Sequence, residues 1–217
     1  QKPYIPIYEK ANWTADGKEF QLPDEYYSSK FLVDKTIEFI DSNAEDSKPF
    51  FAYIPFLAVH MPVQAPKEYT ERYLETYKDG WTELRKQRQA RTKELGIIPQ
   101  DSQMVDMHTT DNWDDQSDEM KRYHAKRMAV YAGMVEAMDH NMGRLVAHLK
   151  STGQYDNTVF IFTSDNGGLS TLQHNRRAAP TSCLPLRAGK GWLYEGGIRV
   201  PAILAWPGII NEGITNG

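Results

Sequence analysis

Apolar positions along this chain fall into two patterns, short continuous runs and long stripes at three- and four-residue steps, and the two alternate. Between residues 28 and 42, Phe31, Leu32, Ile37, Phe39 and Ile40 form one apolar side. That spacing predicts a helix, which Ser28 or Ser29 can cap. A polar loop follows, and Pro49-Phe-Phe-Ala-Tyr-Ile-Pro55 then reads as a short buried strand. Residues 67–78 and 80–95 have a helical and strongly charged pattern, with Trp81, Leu84 and Leu95 as sparse anchors and Gly96 as the stop. They read as a solvated insertion, continued by a long connection over 97–113. The longest stripe is Met128, Tyr131, Met134, Val135, Met138, Met142, Leu145, Val146 and Leu149. It predicts a helix from Ser117 to about residue 150, with Gly153 ending it and the methionines as core packing. Thr158 to Phe162 is a second short run, and Ile203 to Trp206 a third, closed by Pro207-Gly208. Helix leading to strand twice over implies an α/β fold. The run at 158 has the composition of a buried strand in a parallel sheet. Residues 1–27, rich in Pro and Tyr, show no period and read as irregular.

Bulk properties narrow the class without deciding it. The 217 residues suffice for one domain with a substantial core. Twenty-five basic and 29 acidic residues, spread evenly, leave a net charge of −4, which gives no nucleic-acid surface. The single cysteine, Cys183, excludes an internal disulfide and a cysteine-rich metal site. No apolar run approaches the roughly 20 residues that span a bilayer. No leader opens the chain, and both ends read as the inside of a longer protein. Asn12-Trp13-Thr14 is a glycosylation sequon, meaningful only in a secreted eukaryotic context.

Candidate chemistry gathers where the short runs end. Thr163 and Ser164 lead to Asp165, Asn166, Gly167 and Gly168, at the carboxyl end of a predicted strand, where open α/β sheets bind ligands. Asp165 and Asn166 are hard oxygen donors suited to Ca2+ or Mg2+. The same four residues could equally be a turn in which Asp165 caps the next element. His60 also follows a predicted strand and precedes Pro62 and Pro66. It is either a hydrogen-bonded structural histidine or a general acid and anion-binding cation. His108 reads as a surface residue. The polar loop 169–188 carries His174, Arg176 and Arg177, either a solvated cluster or a lip facing an anionic substrate. Gly189-Lys190-Gly191, with Gly196-Gly197 after it, implies backbone wrapped closely around something. It lacks the Gly-x-x-x-x-Gly-Lys-Ser/Thr spacing of a phosphate loop.

Four blocks carry a resemblance to a known family. They are Pro49-Phe-Phe-Ala-Tyr-Ile-Pro-Phe-Leu-Ala-Val-His-Met-Pro-Val-Gln-Ala-Pro66, Val130-Tyr-Ala-Gly-Met-Val-Glu-Ala-Met-Asp-His-Asn-Met-Gly-Arg-Leu145, Asp156-Asn-Thr-Val-Phe-Ile-Phe-Thr-Ser-Asp-Asn-Gly-Gly168 and Leu186-Arg-Ala-Gly-Lys-Gly-Trp-Leu-Tyr-Glu-Gly-Gly-Ile-Arg-Val-Pro-Ala202. Together they resemble the sulfatases of the alkaline-phosphatase-like superfamily, over residues 28 to 210, with the charged segment 67–113 most like the bacterial arylsulfatase branch. The resemblance implies a partial catalytic domain over 1–217, with a mixed, mostly parallel sheet flanked by helices. It implies sulfate-ester hydrolysis by a formylglycine, made from a Cys or Ser in a Cys/Ser-x-Pro-Ser/Ala-Arg motif, whose hydrate attacks the sulfur while Ca2+, or Mg2+ in its place, polarises the sulfate oxygens. Asp165 and Asn166 would be metal ligands. His60 would hold the sulfate and help protonate the leaving oxygen, and Lys190 would bind a sulfate oxygen. With these two, His174, Arg176 and Arg177 would contact substrate, while Glu195 and Arg199 would be structural. The family's nucleophile motif and its first pair of metal-binding aspartates lie upstream of the region matched here. Cys183-Leu-Pro-Leu-Arg187 spells a minimal Cys-x-Pro-x-Arg in the wrong place, with Leu at its fourth position, and reads as a chance match containing a structural thiol. The chain alone is therefore expected to be inactive. A sulfated small molecule or carbohydrate is the expected substrate, and a periplasmic or secreted location the expected compartment, with the cytoplasm as the other. A phosphate or phosphonate monoester hydrolase of the same superfamily and a non-catalytic anion-binding protein are the alternatives.

Overall fold

A computed structural model describes residues 13–46, 48–104, 112–170 and 181–214. The chain divides into two compact units, one formed by 1–78 and 122–153, the other by 79–121 and 154–217.

In the first unit a hairpin pairs β1 (Thr14–Ala15) with β2 (Lys18–Glu19), Thr14 opposite Glu19. Asp16 and Gly17 turn it, with φ of +50° and +74°, the positive values a two-residue hairpin needs at both positions. This Asp-Gly turn was legible in a segment read above as irregular. Helix α1 (Ser28–Ser42) begins one turn later, at the expected place. Its N-cap is Tyr27, and Ser29 is fully buried rather than capping. Trp13, Phe20 and Tyr26 gather around Phe31 of α1 with ring centroids 5.4 to 6.4 Å away. Burial pushes the Tyr26 phenol up to about 12.

The long helix, α4 (Asp118–Ser151), starts at Ser117, whose Oγ accepts the Met120 amide at 3.3 Å. Its part from Arg122 onward belongs to the first unit. Ala129, Gly133, Ala137, Asn141, Leu145 and Leu149 line its buried face, together with Met134. Tyr131 and Val135, placed on the apolar stripe by spacing, are 40% and 41% exposed. The buried line runs through small residues because neighbours approach closely. A Cβ on Gly133 would lie 3.0 Å from the backbone nitrogen of Thr70, in the short helix α2 (Lys67–Thr70). Thr70 is accordingly buried, so the segment expected to be a solvated insertion starts on a packed helix. Toward the other end, Arg144 binds Asp34 of α1 at 2.7 Å and the Asn141 side chain at 2.9 Å, while Asn141 donates to the Ala137 carbonyl.

Partial burial of Asp34 opposes ionisation, yet hydrogen bonds from Lys30 and Arg144 outweigh it and hold the carboxyl below its usual range. A depressed carboxyl stabilises the fold above its unfolded value, near pH 4, and that contribution disappears as pH falls through the lower folded value. Because both partners are about a third exposed, water screens the pair to roughly 0.5 kcal/mol. Arg144→Met is expected to lose that amount at pH 7 and to acidify with a shallower fall in stability than the native chain, as urea unfolding at pH 7 and pH 3 would record.

Residues 49–55 depart from expectation. They form no strand, and Phe51 and Tyr53 are 93% and 77% exposed. An extended segment becomes a strand only when a neighbour takes its backbone hydrogen bonds, and among the described residues none pairs with it.

In the second unit, α3 (Gly80–Glu94) is the predicted charged helix. Gly80, at φ +81°, starts it where any Cβ would fall 2.1 Å from the Trp113 ring, and Trp113 is buried against Trp81. The supposed connection 97–113 thus ends in a core residue. Strand β3 (Phe160–Thr163) pairs with β4 (Ala202–Ala205), Phe160 opposite Ala205 and Thr163 opposite Ala202. Both strands were foreseen, but their pairing is antiparallel, and Ile161 and Ile203 are 72% and 62% exposed. The continuous apolar run reported only that β3 is suited to a two-sided covered sheet; it does not specify which neighbour lies beside it. The last helix, α5 (Glu195–Ile198), is a single turn.

Candidate active site

The chain leaves β3 at Ser164, whose hydroxyl donates to the Asn166 carbonyl at 2.7 Å and bends the backbone so that Asp165 stands at the tip of the turn. Asp165 is exposed and Asn166 half-buried. The following glycines are fastened to the glycine-rich segment that precedes β4. Gly167 N–H donates to the Gly197 carbonyl at 2.9 Å. The Gly168 carbonyl accepts the Lys190 amide at 2.8 Å, the Ser170 amide at 2.9 Å and the Cys183 thiol at 3.5 Å. Gly196 N–H reaches the Arg187 carbonyl at 2.8 Å, and Ser170 Oγ the Ala188 carbonyl at 2.9 Å.

The glycines are there because backbone meets backbone. A Cβ at Gly167 would lie 1.9 Å from the Gly196 oxygen, at Gly196 2.3 Å from the Ala188 oxygen, and at Gly197 2.0 Å from the Trp192 oxygen. What the glycine-rich segment wraps around is thus the Asp165-Asn166 turn itself. Asp165, Asn166 and Lys190 are carried on two segments joined by three direct main-chain contacts: Gly167 to Gly197, Lys190 to Gly168, and the Gly167–Gly196 apposition. Beside them Arg187 lies over the Tyr194 ring at 3.7 Å, and Trp192 stacks on Tyr194 at 6.3 Å and 16°. Glu195 opens α5, and the Arg199 amide closes it on the Glu195 carbonyl. Cys183 is half-buried, with its thiol on the Gly168 carbonyl and 3.1 Å from where a Gly168 Cβ would be. It helps brace the turn. Sequence reading missed this bracing by Ser170 and Cys183; only the requirement for glycine at 168 hinted at it.

His60 belongs to the first unit. It is exposed, at the end of a turn in which its amide donates to the Leu57 carbonyl at 2.8 Å. Its Nδ1 is 2.9 Å from the Met61 carbonyl. A carbonyl only accepts, so Nδ1 carries the hydrogen and Nε2 holds the lone pair of the neutral ring. His174, Arg176 and Arg177 lie outside the described residues, as does His108.

As a cation site the Asp165-Asn166 turn has the right chemistry and too few ligands. Carboxylate and amide oxygens suit Ca2+ or Mg2+, which take six or more oxygens. Among the described residues no three His, Cys, Asp or Glu side chains converge. The turn can therefore form one side of such a site.

A sequence model of the sulfatase family matches residues 3–217. The chain belongs to the sulfatase family. An uncharacterized sulfatase of Schizosaccharomyces pombe is 37% identical over 98% of the chain, which covers 44% of that protein. The arylsulfatase of Klebsiella aerogenes is 38% identical over 71% of the chain, equivalent to 33% of its own length. The chain thus spans less than half of either sulfatase relative. Among solved structures, Ps i-CgsB in complex with k-i-k-neocarrahexaose matches 91% of the chain and 32% of its own at TM-score 0.53 and 29% identity. The protein yidJ from Bacteroides fragilis matches 88% of the chain and 33% of its own at TM-score 0.55 and 22% identity, a likeness of fold. These structural neighbours bear out the α/β, alkaline-phosphatase-like class.

Proposed function

We propose that the protein containing this chain hydrolyses sulfate esters, and that the chain supplies the half of the active site that grips the sulfate. The observation that carries this reading is the backbone lock between the Asp165-Asn166 turn and the Gly189-Lys190-Gly191 turn, in a chain of the sulfatase family. Sulfate-ester cleavage moves negative charge onto the sulfuryl oxygens and the departing oxygen. A fixed ammonium aimed at that charge accelerates the reaction because it needs no reorganisation. Lys190 is the ammonium, and its main-chain hydrogen bond to Gly168 fixes where its side chain starts. Asp165 and Asn166 would hold one side of a Ca2+ or Mg2+ ion, which when bound would polarise sulfate oxygens. The remaining ligands and the formylglycine nucleophile would come from residues outside this chain.

His60 fits the proton donor. With Nδ1–H committed to the Met61 carbonyl, only the imidazolium has a second N–H, at Nε2, to give to a leaving oxygen. The loop with His174, Arg176 and Arg177 would add positive charge facing the substrate. A sulfated carbohydrate is the favoured substrate class, in keeping with the carrahexaose bound by a structural relative. A periplasmic or secreted location suits such a substrate; no helix among the described residues is long and apolar enough to cross a membrane.

Paired assays with 4-nitrophenyl sulfate and 4-nitrophenyl phosphate test the proposal. The complete protein is expected to hydrolyse the sulfate at least 100-fold faster in kcat/KM, a difference of roughly 2.7 kcal/mol in transition-state stabilisation, and the 217-residue chain alone to hydrolyse neither. A preference for phosphate would move the protein to the phosphomonoesterase reading. Turnover of the sulfate by the chain alone would refute the division of the site.

A further inference from the structure

We infer that Ser170 is a positioning residue for Lys190 and acts through the backbone of Ala188. The inference rests on the sulfate-ester reading above and extends it to what aims the ammonium. A strained torsion points to it. Among the described residues only Asp16 and Ala188 combine a side chain with positive φ. Asp16 sits in a hairpin turn that demands it, and aspartate tolerates this region better than most residues. Ala188, at φ +62°, has no such help. Its Cβ crowds the following carbonyl oxygen there, and such a conformation persists only where surrounding contacts over-determine it.

Two hydrogen bonds do this, one on each side. The peptide before Ala188 is held by the Gly196 amide, which donates to the Arg187 carbonyl at 2.8 Å. The peptide after it is held by the Ser170 hydroxyl, which donates to the Ala188 carbonyl at 2.9 Å across 18 residues of chain. With both planes fixed, the torsions at Ala188 have little freedom left. The same serine reaches the next step as well. Its amide and the Lys190 amide share the Gly168 carbonyl, at 2.9 and 2.8 Å. Gly189, between Ala188 and Lys190, is buried, and a Cβ on it would lie 2.2 Å from Ser170 Oγ. The hydroxyl thus fills the space a side chain would need. Ser170 governs the main chain on both sides of Gly189, at the root of the Lys190 side chain. Without its hydroxyl, Ala188 is free to relax to negative φ, which rotates the peptide leading to Lys190. A displacement of about 1 Å in a reacting group costs up to roughly 100-fold in rate. In this role the serine acts through Lys190 alone, which separates it from a residue that only braces the fold.

Kinetics of the complete protein on 4-nitrophenyl sulfate test this. Ser170→Ala is expected to lower kcat/KM about tenfold, within the range for a misplaced catalytic group. Adding Ala188→Gly is expected to restore most of that loss, because glycine adopts φ +62° unaided. In a Lys190→Met background Ser170→Ala should cost less than about twofold, since the group it aims is gone. A loss that persists in full in that background, or no recovery on adding Ala188→Gly, would overturn the inference. So would native kinetics for Ser170→Ala beside a loss of about 100-fold for Lys190→Met, a result that leaves the sulfate-ester reading standing. Little loss from Lys190→Met would instead overturn that reading of Lys190, and the inference with it. Should Ser170→Ala fail to fold, the double variant Ser170→Ala/Ala188→Gly is compared with Ala188→Gly alone. Equal kcat/KM and melting temperature would support the positioning role, and a deficit of about tenfold at equal melting temperature would overturn it.

Discussion

Gly197→Ala is expected to destabilise the chain by about 3 kcal/mol, at the upper end for an overpacked site, and to abolish function in the complete protein. The new Cβ would lie 2.0 Å from the Trp192 carbonyl oxygen and 2.6 Å from that of Gly189. Neither atom is the free end of a side chain. Both belong to the segment that carries Lys190, and the Gly197 carbonyl itself receives the Gly167 amide. Relief of the clash would therefore separate Lys190 from Asp165. Thermal unfolding should record a fall of about 10 °C for a chain of this size. Gly143→Ala is the matched control. Nothing lies within 4 Å of its Cβ, on the exposed side of α4, so the substitution should stabilise by about 0.5–1 kcal/mol through backbone entropy alone. A native melting temperature for Gly197→Ala would contradict the close backbone apposition.

Lys190→Met in the complete protein is expected to lower kcat/KM for 4-nitrophenyl sulfate by about 100- to 1000-fold, the usual effect of removing one preorganised charge or donor from a transition state. Methionine keeps the main-chain N–H that binds the Gly168 carbonyl at 2.8 Å, so the loop geometry survives and the loss reports the ammonium. Lys190→Arg should recover little, because a planar fork cannot replace a compact ammonium on the same stem length. Initial-rate kinetics with all three proteins at equal melting temperature would measure this. A loss of less than tenfold would mean that Lys190 does not face the reacting group.

How far these features could be read from sequence depends on which interactions are local. The helices α1, α3 and α4 were legible because period and stop residues are local; Gly96 and Gly153 sit at positive φ where each helix ends. The strands at 160–163 and 202–205 were legible as apolar runs, but their antiparallel pairing was not, since a run carries no information about its neighbour. Residues 49–55 had a strand's composition without a partner to complete it. Along α4 the stripe of large residues misplaced the buried face by about one position. Close packing at Gly133 favours the small residues Ala129, Ala137 and Asn141, and hydropathy undervalues them. At the site, Asp165, Asn166 and Lys190 were legible as chemistry, and the glycines as a close approach. That each glycine set is the other's reason, with Cys183 and Ser170 bracing the same carbonyl, required three dimensions. The proposed role of His60 draws on its Nδ1 contact with the Met61 carbonyl, which no spacing foretells.

In the proposed site the backbone lock makes Asp165 and Lys190 act together. Groups acting as a unit give strongly non-additive kinetic effects. The most direct measurement is a double-mutant cycle on the complete protein, with Asp165→Ala, Lys190→Met and the pair assayed for kcat/KM on 4-nitrophenyl sulfate. The double variant is expected to be about as slow as the slower single one. Multiplication of the two single effects, each acting in full in the presence of the other, would contradict it.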